Sequence, residues 1–308
     1  MRTIEQLQER LSQQGITCRQ DVPMAPYTSF RIGGRVALLA EPHDEQQLIR
    51  CVYEVQESGL PTFVLGRGSN VLLPDEPMHA VIIRTADMRE RVTDEGDCLY
   101  AGAGVTLIEL ARAAQRAGLG GLEFSYGIPG TLGGALCMNA GAYGGEMRDV
   151  VRFVRVYDAE KNEIRTLDGE QMQFSYRHSL LLSSPHLIAL GATLALHADD
   201  RKAIEARMRD YMSRRRDKQP LEYPSAGSVF KRPEGAFAGA LIEQSGLKGY
   251  RIGGAMVSPK HAGFIVNVGN ATATDVLSLI QYIKDTVEHD HGVTLETEIQ
   301  FPTSLWAR

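Results

Sequence analysis

Apolar side chains recur at i, i+3, i+4 and i+7 in several stretches of this chain, the spacing that lines one face of a helix. Ile4, Leu7 and Leu11 stand among charges and glutamines near the N-terminus. Leu48, Cys51, Val52 and Val55 follow Asp44 and Gln47, which are spaced like the halves of a capping box. The grammar returns at Thr106 and Glu109, ahead of Leu107, Leu110, Ala111 and Ala114, with Gly118 placed to end the helix in a left-handed conformation. A charged helix is predicted from a break at 198–202 to about Lys218, with Ile204, Met208, Tyr211 and Met212 as its apolar stripe. A last helix is predicted from Thr274 to Glu288.

Short apolar or alternating runs at 62–65, 80–83, 98–101, 151–157, 163–167 and 187–196 predict strands. In a closing strand over 294–301, Leu295, Thr297, Ile299 and Phe301 share one face and Glu296, Glu298 and Gln300 the other. Strand and helix signals alternate through the first 125 residues, which indicates an α+β or α/β architecture.

Composition changes this picture in one respect. With 43% hydrophobic and 23% charged residues over 308 positions, the chain can bury one large core or two to three smaller ones. A net charge of -5 supplies no global attraction for nucleic acid or an anionic membrane, so any bound phosphate must be met locally. No run has the continuous apolar core of a signal peptide or the roughly 18 residues of a membrane span. The expectation is a cytoplasmic protein without membrane insertion. Cys18, Cys51, Cys98 and Cys137 form no C-x-x-C pair and read as buried thiols, while His289 and His291 read as a solvated helix end, so no metal is expected. The triplet Arg214 to Arg216 could meet a phosphate but reads as a solvated helix end.

The respect that matters is glycine, 31 residues gathered in clusters. Gly33 and Gly34 follow Ser29, Phe30 and Arg31; Gly66, Arg67, Gly68, Ser69 and Asn70 follow the strand at 62–65; and Gly127, Ile128, Pro129, Gly130 and Thr131 open a run that reaches Gly145. Bare backbone at such positions lets successive N–H groups form a nest around a phosphate. The P-loop pattern is absent. Val71 stands where the Rossmann fingerprint needs its third glycine, and no G-x-S-x-G is present. The residues therefore point to a nucleotide held by loops of neither common type.

Seven segments in order resemble the UDP-N-acetylenolpyruvoylglucosamine reductase (MurB) family: 27–34 (YTSFRIGG), 65–72 (LGRGSNVL), 127–131 (GIPGT) with 139–144 (NAGAYG), 175–179 (SYRHS), 227–233 (GSVFKRP), 246–249 (GLKG) with 252–254 (IGG), and Leu295 with Glu298. The short interval between Arg177 and Ser228 resembles the shorter class of the family, which lacks an inserted substrate-covering loop.

The resemblance implies an α+β chain with an FAD-binding fold of the vanillyl-alcohol-oxidase (PCMH) type. Its first subdomain would be 1–85, completed by a C-terminal strand at 294–308, its second 86–198, and a C-terminal α+β substrate domain would span 199–293. It implies non-covalent FAD cradled by Gly66, Arg67, Gly68, Ser69 and Asn70 and by Gly127, Ile128, Pro129, Gly130 and Thr131. The implied activity is that of a UDP-N-acetylmuramate dehydrogenase of peptidoglycan and cell-wall synthesis, serving cell shape and division. NADPH would be the hydride donor and UDP-N-acetylglucosamine enolpyruvate the substrate.

Hydride addition at C3 of the enolpyruvyl group drives charge into its carboxylate, and C2 must then be protonated. The family pattern carries Arg177 over as the partner of that charge, Ser228 as the proton donor and Glu298 as the third catalytic group. Tyr143, Lys231 and Arg232 carry over as substrate contacts, the last two toward the UDP phosphates. Another FAD-dependent oxidase or dehydrogenase of the same fold is the alternative, and it would have no need of the segments at 227–233 and 295–298.

Overall fold

A computed structural model describes residues 2–88, 92–94 and 96–306. The predicted helices form where their caps and stripes place them. Glu45–Ser58 starts on Asp44, whose Oδ1 accepts from Gln47 N at 2.8 Å, and ends on left-handed Gly59. Leu107–Ala117 has a full capping box between Thr106 and Glu109 and stops at Gly118 with φ of 76°. Its stripe of Leu107, Leu110, Ala111 and Ala114 is buried. Ile4–Gln13, Arg201–Lys218 and Ala273–His291 account for the remaining predicted helices.

One sheet has the order Thr17–Pro23, Arg35–Glu41, Met78–Arg84, Thr62–Leu65. Its last two strands are parallel, with Thr62 opposite Val81 and Leu65 opposite Arg84. A second, antiparallel sheet has the order Glu163–Asp168, Val151–Asp158, Leu187–Ala195, Cys98–Gly102, Val92–Asp94. A small antiparallel sheet of Arg251–Ile252, Ala255–Val257 and Ile265–Asn267 packs with the helix Ala273–His291. Mainly antiparallel sheets with helices beside them make the chain α+β, as the sequence indicates. Among the described residues no helix is long and apolar enough to cross a membrane.

The chain divides into two compact units built from discontinuous segments. The first comprises the chain up to Arg19, Leu38–Arg67 and Val81–Arg215, and the second Gln20–Ala37, Gly68–Ala80 and the chain from Arg216. Each has its own core. Leu107, Leu110, Val154, Val156, Leu194 and Ile204 centre the first; Phe30, Leu72, Val229, Ile242, Val276 and Ile283 centre the second.

Three local differences from the sequence reading have physical causes. Thr17–Pro23 is a strand of largely exposed polar residues and so carries no apolar alternation. The glycine run after Thr131, read as loop, contains the short helix Leu132–Cys137, because Gly133 N donates to Ala103 O at 2.8 Å and a Cβ at Gly133 would stand only 3.2 Å from that of Ala103. The predicted closing strand 294–301 keeps its alternation, with Leu295 and Ile299 buried, but makes only single bridges, Phe230 to Thr297 and Val71 to Gln300. A change of partner within three residues leaves no ladder. Residues 307 and 308 of the expected 294–308 segment lie outside the described residues.

The helix Ala273–His291 is fastened at its start by Asp275. Its Oδ2 accepts from Thr272 N and Gly254 N, both at 3.0 Å, while Thr272 Oγ1 accepts from Asp275 N at 3.0 Å. Replacing Asp275 by alanine is expected to cost about 1–3 kcal/mol, a cap plus a second charged hydrogen bond. The Gly254 amide, then the Thr272 amide, hold this carboxyl below the usual carboxylate range. A depressed folded pKa contributes stability that is complete above the unfolded value of about 4 and is lost as pH falls through the folded one. Urea unfolding of both proteins at pH 7 and pH 3.5 checks this. The gap between wild type and Asp275→Ala should narrow at the lower pH, and a gap unchanged by pH would remove the carboxylate from the account.

Candidate active site

In the first unit the strand Thr62–Leu65 delivers Gly66 directly against the loop 127–131. A Cβ at Gly66 would stand 2.5 Å from Oγ1 of buried Thr131. That hydroxyl caps the helix Leu132–Cys137, accepting from Gly134 N at 3.4 Å. The loop is fixed on both sides by main chain: Ile128 N donates to Ser125 O at 3.0 Å, Leu107 N to Gly130 O at 3.1 Å and Leu132 N to Val105 O at 2.8 Å. Ile128 packs on the first core. Pro129 and Arg67 are both exposed. The bare backbone of Gly127 faces the Arg215 side chain, whose Cδ would be 3.0 Å from an added Cβ. Glycine backbone beside a threonine hydroxyl and a guanidinium is a donor set suited to an anion, so these residues fit the diphosphate of a dinucleotide such as FAD.

The same unit holds Arg177 and Tyr143 around the remainder of the glycine-rich run. Arg177 sits in a tight turn closed by Ser175 N to His178 O at 3.0 Å and His178 N to Ser175 O at 3.2 Å. Its guanidinium donates to Gly141 O at 3.2 Å and lies 5.0 Å from the Tyr176 ring centre. Tyr143 stacks on Tyr211 at 4.5 Å, with the rings 7° from parallel. Asn139, Tyr143 and Arg177 all have positive φ, at 41°, 54° and 55°. Such strain costs of order 1–3 kcal/mol per residue and persists where the surroundings over-determine it. Here they do: the buried Asn139 side chain donates to Ser175 O at 3.0 Å and Glu146 Oε2 at 2.9 Å, and accepts from Arg148 N at 2.9 Å. Asn139 thus ties the loop to the Arg177 turn, a part the sequence reading did not assign. Its only signal was an asparagine beginning a glycine-rich stretch, a residue type that tolerates the left-handed region.

In the second unit Gly68 has φ of 63°, and a Cβ there would stand 2.3 Å from Tyr27 O. Ser29 N donates to Gly68 O at 3.0 Å while Ser29 Oγ donates to Ser225 O at 2.6 Å, so this serine holds the glycine loop to the segment that carries Ser228. Asn70 Nδ2 donates to Glu298 O at 3.4 Å, and Gln300 N to Asn70 O at 2.9 Å. Ser69, between them, is half-buried. Val229 N donates to Gly263 O at 2.9 Å and Val229 O accepts from Glu298 N at 2.7 Å, which sets Glu298 across from the neighbour of Ser228. The structure therefore brings Gly68, Asn70, Ser228 and Glu298 into one hydrogen-bonded frame. Lys231 and Arg232 continue it. Lys231 Nζ pairs with the exposed Glu296 at 3.1 Å, and the Arg232 guanidinium lies 4.3 Å from the Phe237 ring centre. An exposed ion pair is weak enough to exchange for a phosphate.

Among the described residues no group of three His, Cys, Asp or Glu side chains could hold a metal ion. Burial pushes the Cys18 thiol up to about 12 and the Cys137 thiol up to about 11, so neither is a ready nucleophile.

Comparison with known proteins covers nearly the whole chain. Residues 36–168 match the family described as an FAD binding domain, and residues 219–302 match the C-terminal domain of UDP-N-acetylenolpyruvoylglucosamine reductase. A UDP-N-acetylenolpyruvoylglucosamine reductase of Syntrophomonas wolfei is 46% identical over 90% of this chain and 92% of its own. A second, from Lactobacillus delbrueckii, is 43% identical over 94% of this chain and 97% of its own. The crystal structure of the Thermus caldophilus reductase superposes with a TM-score of 0.77 at 36% identity, covering 93% of this chain and 98% of that one.

Proposed function

The chain belongs to the UDP-N-acetylenolpyruvoylglucosamine reductase family, and we propose on that footing that it reduces UDP-N-acetylglucosamine enolpyruvate to UDP-N-acetylmuramate with NADPH, through bound FAD, in the cytoplasm. The observation that carries the reading is the order of the two matches, an FAD-binding segment at 36–168 followed by the reductase's own C-terminal domain at 219–302. The second match also weighs against another oxidase or dehydrogenase of the same fold, which would share only the first. The three-part division into 1–85 with 294–308, 86–198 and 199–293 is part of the same proposal.

Bound FAD supplies the hydride that NADPH provides; the protein's side chains manage the charge and the proton. The Arg177 fork meets the substrate carboxylate, where charge accumulates as C3 gains its hydride. Arginine suits the task because it stays charged and bidentate. Ser228 then gives its hydroxyl proton to C2. A serine is a weak acid, and it serves here because an enolate is a strong base. Glu298, with its backbone fixed through Val229, carries a proton or orients the group that restores the Ser228 hydroxyl. Gly66 to Asn70 and Gly127 to Thr131 hold the dinucleotide, and Tyr143, Lys231 and Arg232 contact the UDP substrate. The net change adds one hydride and one proton across the C2–C3 double bond and leaves NADP⁺.

The purified protein is expected to be yellow, and its steady oxidation of NADPH under anaerobic conditions is expected to require UDP-N-acetylglucosamine enolpyruvate. A colourless protein that takes up no flavin, or NADPH consumption indifferent to that substrate, sinks the reading.

A further inference from the structure

The arginine triplet at 214–216 reads in the sequence as the solvated end of a charged helix, and the structure separates its members. Arg214 is exposed and pairs with Asp210 one turn back at 2.7 Å. Arg216 is also exposed. Arg215 instead turns inward and is half-buried. Its side chain lies along the backbone of Gly127, with Cδ 3.0 Å, Nη1 3.6 Å and Nε 3.8 Å from the place a Cβ of that glycine would occupy. Among the described residues it has no carboxylate partner, and the ionisable group acting on it is the Tyr143 hydroxyl. Burial opposes its charge and lowers its pKa from the ordinary arginine value.

A guanidinium withdrawn from water without a counter-charge destabilises the protein that carries it. Two other partly buried arginines of this unit have their anions. Arg207, on the same helix, is held by Glu123 at 2.6 Å and by Asp199, and Arg84 by Glu41 at 3.1 Å. Arg215 differs from them in facing a glycine loop, where the close acceptor must come from outside the chain. The loop offers bare backbone at Gly127 and a hydroxyl at Thr131, and Tyr143, stacked on Tyr211, lies within electrostatic reach of Arg215. Planar fork geometry together with small unbranched neighbours matches phosphate oxygens.

We propose that Arg215 binds a diphosphate at the loop beginning with Gly127, so that the ligand completes a charge pair the folded chain leaves open. This rests on the functional reading above and adds to it a residue and a ligand group. Two sources of diphosphate are at hand, the flavin dinucleotide and the UDP substrate, and the test separates them.

The flavin-free protein is titrated with FAD and with riboflavin, which lacks phosphate, in the wild type and in Arg215→Met and Arg215→Lys. Binding of UDP-N-acetylmuramate is measured on flavin-saturated samples. Arg215→Met is expected to weaken FAD binding by about 10- to 100-fold, the effect of losing charge-assisted hydrogen bonds, with riboflavin binding unchanged. The flavin-free variant should also melt no lower than wild type, a readout that a structural arginine would move the other way. If FAD binding holds while UDP-N-acetylmuramate binding falls by a similar factor, the diphosphate is the substrate's. If neither falls, the proposal is overturned. Arg215→Lys decides the matter should the Met variant not fold, since loss of the fork alone should weaken one of the two ligands several-fold, and unchanged affinity for both overturns the proposal. A wild-type protein that binds neither ligand would instead overturn the functional reading beneath it.

Discussion

Ser228→Ala is expected to slow reduction of the enolpyruvyl substrate by about 10²- to 10⁴-fold, the usual contribution of a positioned general acid, while oxidation of NADPH by the flavin-loaded protein without that substrate keeps its wild-type rate. The separation is expected because the backbone around Ser228 does not depend on its hydroxyl. Val229 N is bonded to Gly263 O, and Glu298 N to Val229 O. Removing one oxygen leaves that frame standing. Stopped-flow measurement of each half-reaction alone checks the result. If the substrate step is unaffected, Ser228 is not the proton donor; if both steps slow equally, the substitution has damaged the fold and the frame argument fails.

Gly68→Ala is expected to destabilise the protein by about 2–5 kcal/mol. The left-handed backbone costs an alanine about 1–2 kcal/mol, and forcing a methyl against fixed neighbours adds about 1–3 kcal/mol. The neighbours are fixed because they are main chain, Tyr27 O at 2.3 Å and Thr28 Cα at 2.9 Å from the new Cβ. Gly235 supplies the contrast, with φ of 68° and nothing within 4 Å, so Gly235→Ala should show only the backbone component. Urea unfolding of the two variants measures the difference. Equal losses would mean that the segment around Tyr27 yields, and that the close approach of the two loops is not a constraint. A loss of several kcal/mol takes a large share of a stability of about 5–15 kcal/mol.

The parts of this protein that the sequence made legible are those governed by local rules. The caps at Asp44 and Thr106 and the stop at Gly118 act within one turn of the chain, and the helix boundaries there follow them closely. Strands whose two faces differ, such as Val151–Asp158 and Leu187–Ala195, declare themselves by burial. Thr17–Pro23 does not, because few of its side chains are buried. The glycine loops were legible as loops suited to a phosphate, but the steric need for glycine at particular positions was not, since Gly68 is required by a carbonyl 41 positions earlier in the chain and Gly66 by a threonine 65 positions later. The roles proposed for site residues come mainly from the resemblance. Arg177, Ser228 and Glu298 are ordinary residue types that their sequence neighbours do not single out. The parts played by Asn139 and Ser29 were not legible for a related reason, since each acts through a contact far along the chain, and the triplet at 214–216 read as a solvated helix end because nothing near it in sequence shows that Arg215 alone turns toward Gly127.

The discontinuous make-up of the second unit bears on how the protein is made. Its segments Gln20–Ala37 and Gly68–Ala80 are synthesised early, yet the partners they need lie beyond Arg216. Ser29 waits for Ser225, Phe30 O for Asn267, and Asn70 for Glu298, so these early segments emerge from the ribosome with their apolar faces uncovered while the first unit is completed. Phe30, Ile32 and Leu72, each fully or almost fully buried in the finished protein, are exposed during that interval. Long-range closure of this kind is slow and exposes surface prone to association. Truncation before the final third would strand those side chains permanently, so a shortened chain is a poor vehicle for studying the first unit alone.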